Sequence, residues 1–381
     1  MASNIPLSRP EITRHEIDAV LEVLQGEGLA QGTKLHEFET ACAAIAGRRH
    51  GVGVSSGTAG LHTALVAAGI GAGDEVITTP FSSVASTNCI LYVGARPVFV
   101  DIDPQTLNLD LARVSRAVTP QTRAMVAVEV LGHPGGMIEL EQIAQKHELI
   151  MIEDCCEGFG GQIVQRRVGS FGRAAVFAFH HNNQVTTGEG GMIVTDDERL
   201  ADLCRSLRDQ GRDTPGGLVH QRLGYNYRLS EINAALGLAQ CARLEEILEQ
   251  RRTVAHRYIR RLMANRYLIV PTLDDDTHMS WCVFVVRLND LFASGDRDLV
   301  IAELKAAGIG SSVYFPPIHL QPYIAGPLGF RAGDFPVCEY IASRTLALPF
   351  FGAITAGQVQ RVCDTLEKIL EGILMKEKKR F

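Results

Sequence analysis

The chain has 381 residues, a formal net charge of -6, 46% hydrophobic and 21% charged residues, the balance of an ordinary globular enzyme rather than of a disordered segment or a coiled coil. Mild acidity argues against nucleic acid as the main partner, because such binding calls for a basic face that displaces phosphate counterions. No apolar run reaches the ~20 residues that cross a bilayer, and "MASNIPLSRPEITRHE" lacks the basic end and apolar stretch of a signal peptide, so no membrane role and a soluble, cytoplasmic protein are expected.

Nine cysteines, an odd number with no CxxC pair, sit mostly in apolar surroundings and are expected as reduced thiols. In chain order, "PEITRHEIDAVLEVL" (10–24) places apolar residues at helical intervals behind a proline, and a second helix is expected from Lys34 to Ala46. A third, "AGLHTALVAAGI", begins just after the turn "SSGT". Short Val- and Ile-rich runs then alternate with helical segments: "DEVITTP", "ARPVFVDID", "TRAMVAVEVL" and "LIMIEDCC", with "IELEQIAQKHE" among the helices. Strands alternating with helices predict an α/β fold, a mostly parallel sheet covered on both faces. One long helix is expected over 230–265, joining a large domain (1–250) to a smaller α+β domain (251–381). The small domain should hold a strand "WCVFVVRL", a helix "RDLVIAELKAAGIG", an irregular 311–330 and a last helix from Ala356 to Met375. The basic tail "KEKKRF" reads as a frayed helix end.

Two stretches carry chemistry. "VSSGTAGLHTAL" puts Ser55, Ser56, Gly57 and Thr58 at a strand-to-helix junction, where free N–H groups, hydroxyls and a glycine form a phosphate cradle, or simply an N-cap. "LIMIEDCCEG" ends a buried strand in Glu153 and Asp154, with Glu157 three positions on, where ligands bind in parallel sheets; a cap or an ion pair is the plainer alternative. A phosphorylated pyridine cofactor needs both parts, an anion cradle and a carboxylate that keeps the ring nitrogen protonated, and in addition a lysine that forms a Schiff base.

These stretches, with "IPLSRPEIT", "DEVITTPFSSVASTNCILYVGARPVFVDID", "TTGEGGMIVTDD", "LGYNYRLSEINAALGLAQ" and "YFPPIHLQPYI", resemble the DegT/DnrJ/EryC1/StrS family of sugar-nucleotide aminotransferases over nearly the whole chain. The resemblance implies a fold type I homodimer with shared active sites, using pyridoxal 5′-phosphate and its pyridoxamine 5′-phosphate form. It implies as partners an amino-acid donor, glutamate above all, and a keto or amino sugar on a nucleoside diphosphate. By the family pattern Gly57, Thr58 and Ala59 match the phosphate turn, Asp154 the pyridinium partner, and Glu157 the polar group near the phenolic oxygen. Asn226 matches an asparagine reaching the phosphate from the neighbouring subunit. Tyr314 and His319 resemble the segment near the sugar nucleotide, and Trp281 a neighbour of that region or a core indole.

Three positions depart from the pattern. The Schiff-base lysine falls on Asn183, the ring-stacking aromatic on Ser83, with Phe81 a displaced substitute, and a phosphate-binding serine on Ala178. An amide forms no Schiff base and has no useful pKa near neutrality. Three readings follow: an aminotransferase whose lysine has been exchanged, leaving an inactive or trapped variant, which the intact surroundings favour; a lysine-less sugar-nucleotide dehydratase that uses the pyridoxamine form; and a non-catalytic module that binds cofactor or sugar nucleotide. His180 and His181 lie close by, but their register favours a structural or substrate-contacting role over that of a base.

Overall fold

Thr13 and Glu16 form a capping box, the Glu16 carboxylate taking the Thr13 N–H at 2.7 Å, and helix α1 (Arg14–Leu24) starts there. In the computed structural model, which describes residues 4–214 and 216–378, the strand–helix alternation of the sequence becomes a chain of crossovers. After α2 (Thr33–Ala46) come β1 (His50–Val54), α3 (Gly57–Ala67), β2 (Glu75–Thr78), α4 (Ala85–Tyr92), β3 (Arg96–Phe99), α5 (Leu111–Ala117), β4 (Thr122–Val128), α6 (Met137–Lys146) and β5 (Ile150–Asp154). A short ribbon, β6 (Gln162–Ile163) and β7 (Arg166–Arg167), precedes β8 (Ala174–Ala178), β9 (Gly191–Thr195) and α7 (Glu198–Arg208).

Seven of these strands make one sheet in the order β1-β9-β8-β5-β4-β2-β3, and within it only β9 runs antiparallel to its neighbours. Val128 pairs with Asp154 and Asp154 with Val176, so the ends of β4, β5 and β8 share one edge. Val54 and Ala178 both pair with Gly191, which brings the start of α3 to the same edge. Apolar clusters cover both faces of the sheet, as its Val- and Ile-rich strands require.

The C-terminal half runs α8 (Glu231–Ala242), α9 (Leu244–Leu262), β10 (Leu268–Ile269), β11 (Thr277–His278), β12 (Phe284–Leu288), α10 (Asp296–Ala306), α11 (Pro322–Leu328), α12 (Pro336–Ala342), β13 (Thr345–Leu348) and α13 (Ala356–Lys378). An antiparallel sheet β10-β12-β13 packs with α9, α10 and α13. The N-terminal segment joins this half: Ile5 bridges to Ile309 and the Phe350 N–H donates to the Leu7 carbonyl at 2.8 Å.

The long helix expected over 230–265 is two helices. Arg243 leaves helical geometry at φ -111°, ψ 14°, and its guanidinium binds Glu11, Glu16 and Glu246, so three carboxylates hold the break in place. α9 runs unbroken through Gln250, and a single apolar cluster extends from Val54 and Val176 to Tyr258, Phe284 and Leu348. "WCVFVVRL" pairs only from Phe284, because Trp281 sits at φ 56° outside the ladder. The irregular 311–330 includes the short α11 behind Pro322. The last helix reaches Lys378, and the end of the basic tail lies outside the described residues.

Candidate active site

Gly57 opens α3 against the edge of the large sheet, where a Cβ would lie 2.8 Å from both the Ala178 Cβ and the Cys156 Sγ. Only glycine permits this approach. Ser56 caps the helix by taking the Ala59 N–H at 3.1 Å, and helix geometry leaves the N–H groups of Gly57 and Thr58 without an intrahelical carbonyl. Both residues line a cavity of about 260 Å³ whose wall also includes Ser83, Asp154, Glu157 and Ala178. Ala59 turns to the outer side of the same turn, beside His62 and Tyr227.

Asp154 ends β5 and is 4% exposed. The Ser86 hydroxyl donates to its Oδ2 at 2.6 Å and the Cys156 N–H to its Oδ1 at 3.3 Å. Burial raises its pKa, and these two donors pull it back only in part. It forms no ion pair among the described residues. Glu157 accepts the Leu131 N–H at 2.9 Å, and burial pushes its pKa up to about 7. Glu129 also reaches the wall. Its carboxyl is buried without a hydrogen-bond partner, and burial with Glu153 beside it holds it protonated well above the carboxylate range.

Asn183 lies behind the wall. Its amide donates to the carbonyls of Cys156 and Ala178 at 3.0 and 2.6 Å, and the Cys282 thiol donates to its Oδ1 at 3.5 Å. Its own carbonyl accepts from the fully buried Arg251 guanidinium at 3.0 Å, which also binds the carbonyls of Asn182, Trp281 and Cys282. Gln184 donates to the Glu157 carbonyl and the Ser280 hydroxyl, at 2.7 and 2.6 Å.

His180 is on the wall, its ring against His181 at 4.1 Å and its Nε2 3.9 Å from Glu189; burial and the His181 charge lower its pKa. Tyr314 stands half-buried near Glu157, and burial followed by that carboxyl raises its pKa. His319 lies apart. It is fully buried, with Nε2 on Glu339 at 3.0 Å and its ring against Phe335, where it props the 311–330 segment. Asn226 bridges to Asp209, away from this cavity. Phe81 is buried edge-on to Phe315 at 6.0 Å and is not among the residues lining this cavity. Trp281 is 2% exposed and stacks on Phe284.

Ser86, Arg251, Gln184 and Cys282 were not singled out in the sequence. Arg251 alone leaves a trace there, a charge on the stripe Ile247, Leu248, Arg251, Val254, Ala255 and Tyr258 that α9 buries. Among the described residues no helix is long and apolar enough to cross a membrane, and no group of three His, Cys, Asp or Glu side chains could hold a metal ion.

The family model for DegT/DnrJ/EryC1/StrS aminotransferases matches residues 10–367. The chain belongs to this family. GDP-perosamine synthase of Caulobacter vibrioides is 37% identical over 369 residues, 96% of this chain and 98% of that protein. S. venezuelae DesV, solved in complex with a ketimine intermediate, is 32% identical over 97% of this chain and 99% of its own, with a TM-score of 0.91. The PLP-form of Spr1654, a putative sugar aminotransferase from Streptococcus pneumoniae, is 26% identical over 97% and 99%, with a TM-score of 0.93. The seven-stranded sheet with one antiparallel strand, flanked by helices, thus matches the central sheet of fold type I aminotransferases.

Proposed function

We propose that this DegT/DnrJ/EryC1/StrS protein binds pyridoxal 5′-phosphate or pyridoxamine 5′-phosphate without a covalent bond, in the cavity between α3 and Asp154. Its family chemistry is amino transfer from an amino acid, glutamate as donor, to a keto sugar carried on a nucleoside diphosphate. The cofactor, when bound, supplies an electron sink for negative charge on the carbon bearing the amino group.

The chain's own residues divide the remaining work. The N–H groups at Gly57 and Thr58 and the Ser56–Thr58 hydroxyls suit a phosphate at a helix start. Asp154 keeps a ring N–H charged, with Ser86 fixing the carboxylate. Glu157, with its pKa raised to about 7, would hold or release a proton near neutral pH beside the phenolic oxygen of a bound cofactor. Ala178 and Ser83 leave room for the ring. Asn183 takes the place of the family lysine and moves no proton, so turnover by this chain is slow or absent. Asn226 would act on the neighbouring active site of a homodimer.

The observation that carries this reading is Asp154, buried beside a helix start with hydroxyl and amide donors but no cation. The test is cofactor binding followed by absorbance and calorimetry. Asp154→Ala should weaken it roughly tenfold or more, as losing a charge-assisted hydrogen bond of about 1.5–3 kcal/mol would; unchanged affinity and spectrum would remove the reading. One observation favours the dehydratase reading: His180 is an imidazole on the cavity wall. Deoxygenated rather than aminated product from a keto-sugar nucleotide would select it.

A further inference from the structure

A second cavity, of about 270 Å³, lies on the other side of the 130–133 turn, between residues 104–107, that turn and the small sheet. Leu131, Met279, Trp281 and Val283 make its wall mostly apolar. Two buried donors among its lining residues have no hydrogen-bond partner. Thr345 is 1% exposed and its hydroxyl has no hydrogen-bond partner. Arg287 donates Nη1 to the Pro104 carbonyl at 3.1 Å, while its buried Nε has no partner.

No carboxylate forms an ion pair with Arg287 among the described residues. The acid that acts on it, Asp290, is taken by the Tyr340 hydroxyl, and Arg344 adds a second positive charge nearby. His133, on the same wall, accepts the Gly135 N–H on Nδ1, and burial disfavours its charged form. The backbone is strained here as well: Leu107, Leu131 and Trp281 hold φ of 65°, 59° and 56°.

An unsatisfied buried donor destabilises the fold, and so does a non-glycine residue held in the left-handed region. A cavity that keeps two unused donors and three such residues is explained by a ligand more readily than by packing. The guanidinium calls for an anion. The largely apolar wall and the two unpartnered donors suit one negative charge rather than a phosphate dianion.

The geometry points to a binding site for a small monocarboxylate with an apolar body. Its carboxylate meets the Arg287 Nε–H and the Thr345 hydroxyl, and its hydrocarbon part lies against Leu131 and Trp281. This site is separate from the candidate cofactor cavity and does not rest on the function proposed for that cavity.

Saturation-transfer NMR on the full chain, with phenylacetate and isovalerate as probes and benzyl alcohol as the neutral control, tests it. Both acids should bind saturably, the alcohol much more weakly, and saturating pyridoxal phosphate should displace neither acid. Arg287→Gln should weaken the acids by about tenfold or more, the loss of a charge-assisted bond, and Thr345→Val by less. Val283→Trp, which fills the cavity, should abolish binding while thermal melts show a folded chain. Acids that compete with pyridoxal phosphate, an alcohol that binds as well as its acid, no saturable binding, or acid affinity that survives Arg287→Gln would each overturn the assignment.

Discussion

Asn183 gives both amide protons to main-chain carbonyls, those of Cys156 and Ala178. The side chain is fastened to the cavity wall, and the loop keeps its shape without an amine. Asn183→Lys should therefore fold normally and restore a nucleophile at the position we assign to the family lysine. We expect borohydride treatment of the loaded variant to mark one peptide, that containing residue 183, and amino transfer to appear. In the unaltered chain the same treatment should mark no lysine, and a labelled lysine elsewhere would displace our assignment.

A second prediction at this scale concerns Glu153, whose Oε1 and Oε2 accept the N–H groups of Gly169 and Phe171 at 2.7 and 2.9 Å. Burial dominates, pushing its pKa up to about 7, and these N–H groups and the neighbouring Glu129 offset it only in part. A carboxyl with a raised folded pKa binds more protons folded than unfolded, so its stabilisation is full below the unfolded value of 4.5 and falls as pH rises through about 7. Thermal melts should show the midpoint declining over that window. Glu129→Gln, which keeps a neutral side chain beside Glu153 and can donate to it, should make the decline shallower. A pH-independent midpoint would contradict the pairing.

Helix periodicity in this chain predicts buried stripes well and breaks poorly. The 230–265 stretch carries an uninterrupted apolar pattern, and nothing near Arg243 resembles a stop signal; the break is made by Glu11 and Glu16, more than 220 residues earlier. Glu16 is depressed to about 2, its hydrogen bonds from Thr13, Arg243 and Gln240 outweighing the burial that would raise it. Its contribution is present above pH 4.5 and lost as pH falls through about 2. Arg243→Ala should destabilise the fold by about 2–3 kcal/mol, at or just below the range for losing one partner of a buried pair, because the arginine is partly exposed. A denaturant midpoint unchanged in this variant would mean that the cluster is merely a surface network. α9 illustrates the opposite case: its stripe is legible, and so is Arg251 as the charge that does not belong there. What Arg251 holds, four carbonyls of two distant segments, is not.

At the scale of the whole molecule, Leu218, Val219 and Leu223 are 94%, 65% and 86% exposed in one segment that leads into Asn226. Apolar side chains so placed suit the face of a second copy. If the proposed homodimer shares its active sites, Leu223→Asp should shift the mass measured by light scattering from two chains to one and weaken cofactor binding at the same time. A monomer that binds the cofactor with full affinity would separate Asn226 from the phosphate.

The alternation of strands and helices, the turn at Gly57, the acid closing β5 and the absence of an amine at residue 183 were all readable along the chain. Each is a local pattern: a period, a cap, or a motif a few residues long. Tertiary structure alone decided that Ser86 fixes Asp154 across 68 residues, that Arg251 and Cys282 reach Asn183 across 68 and 99, and that His319 turns into the core. It alone also left the Arg287 Nε and the Thr345 hydroxyl without partners beside one cavity. Such contacts depend on where separate elements cross, and side chains brought together by a crossing carry no spacing in the sequence by which to find each other.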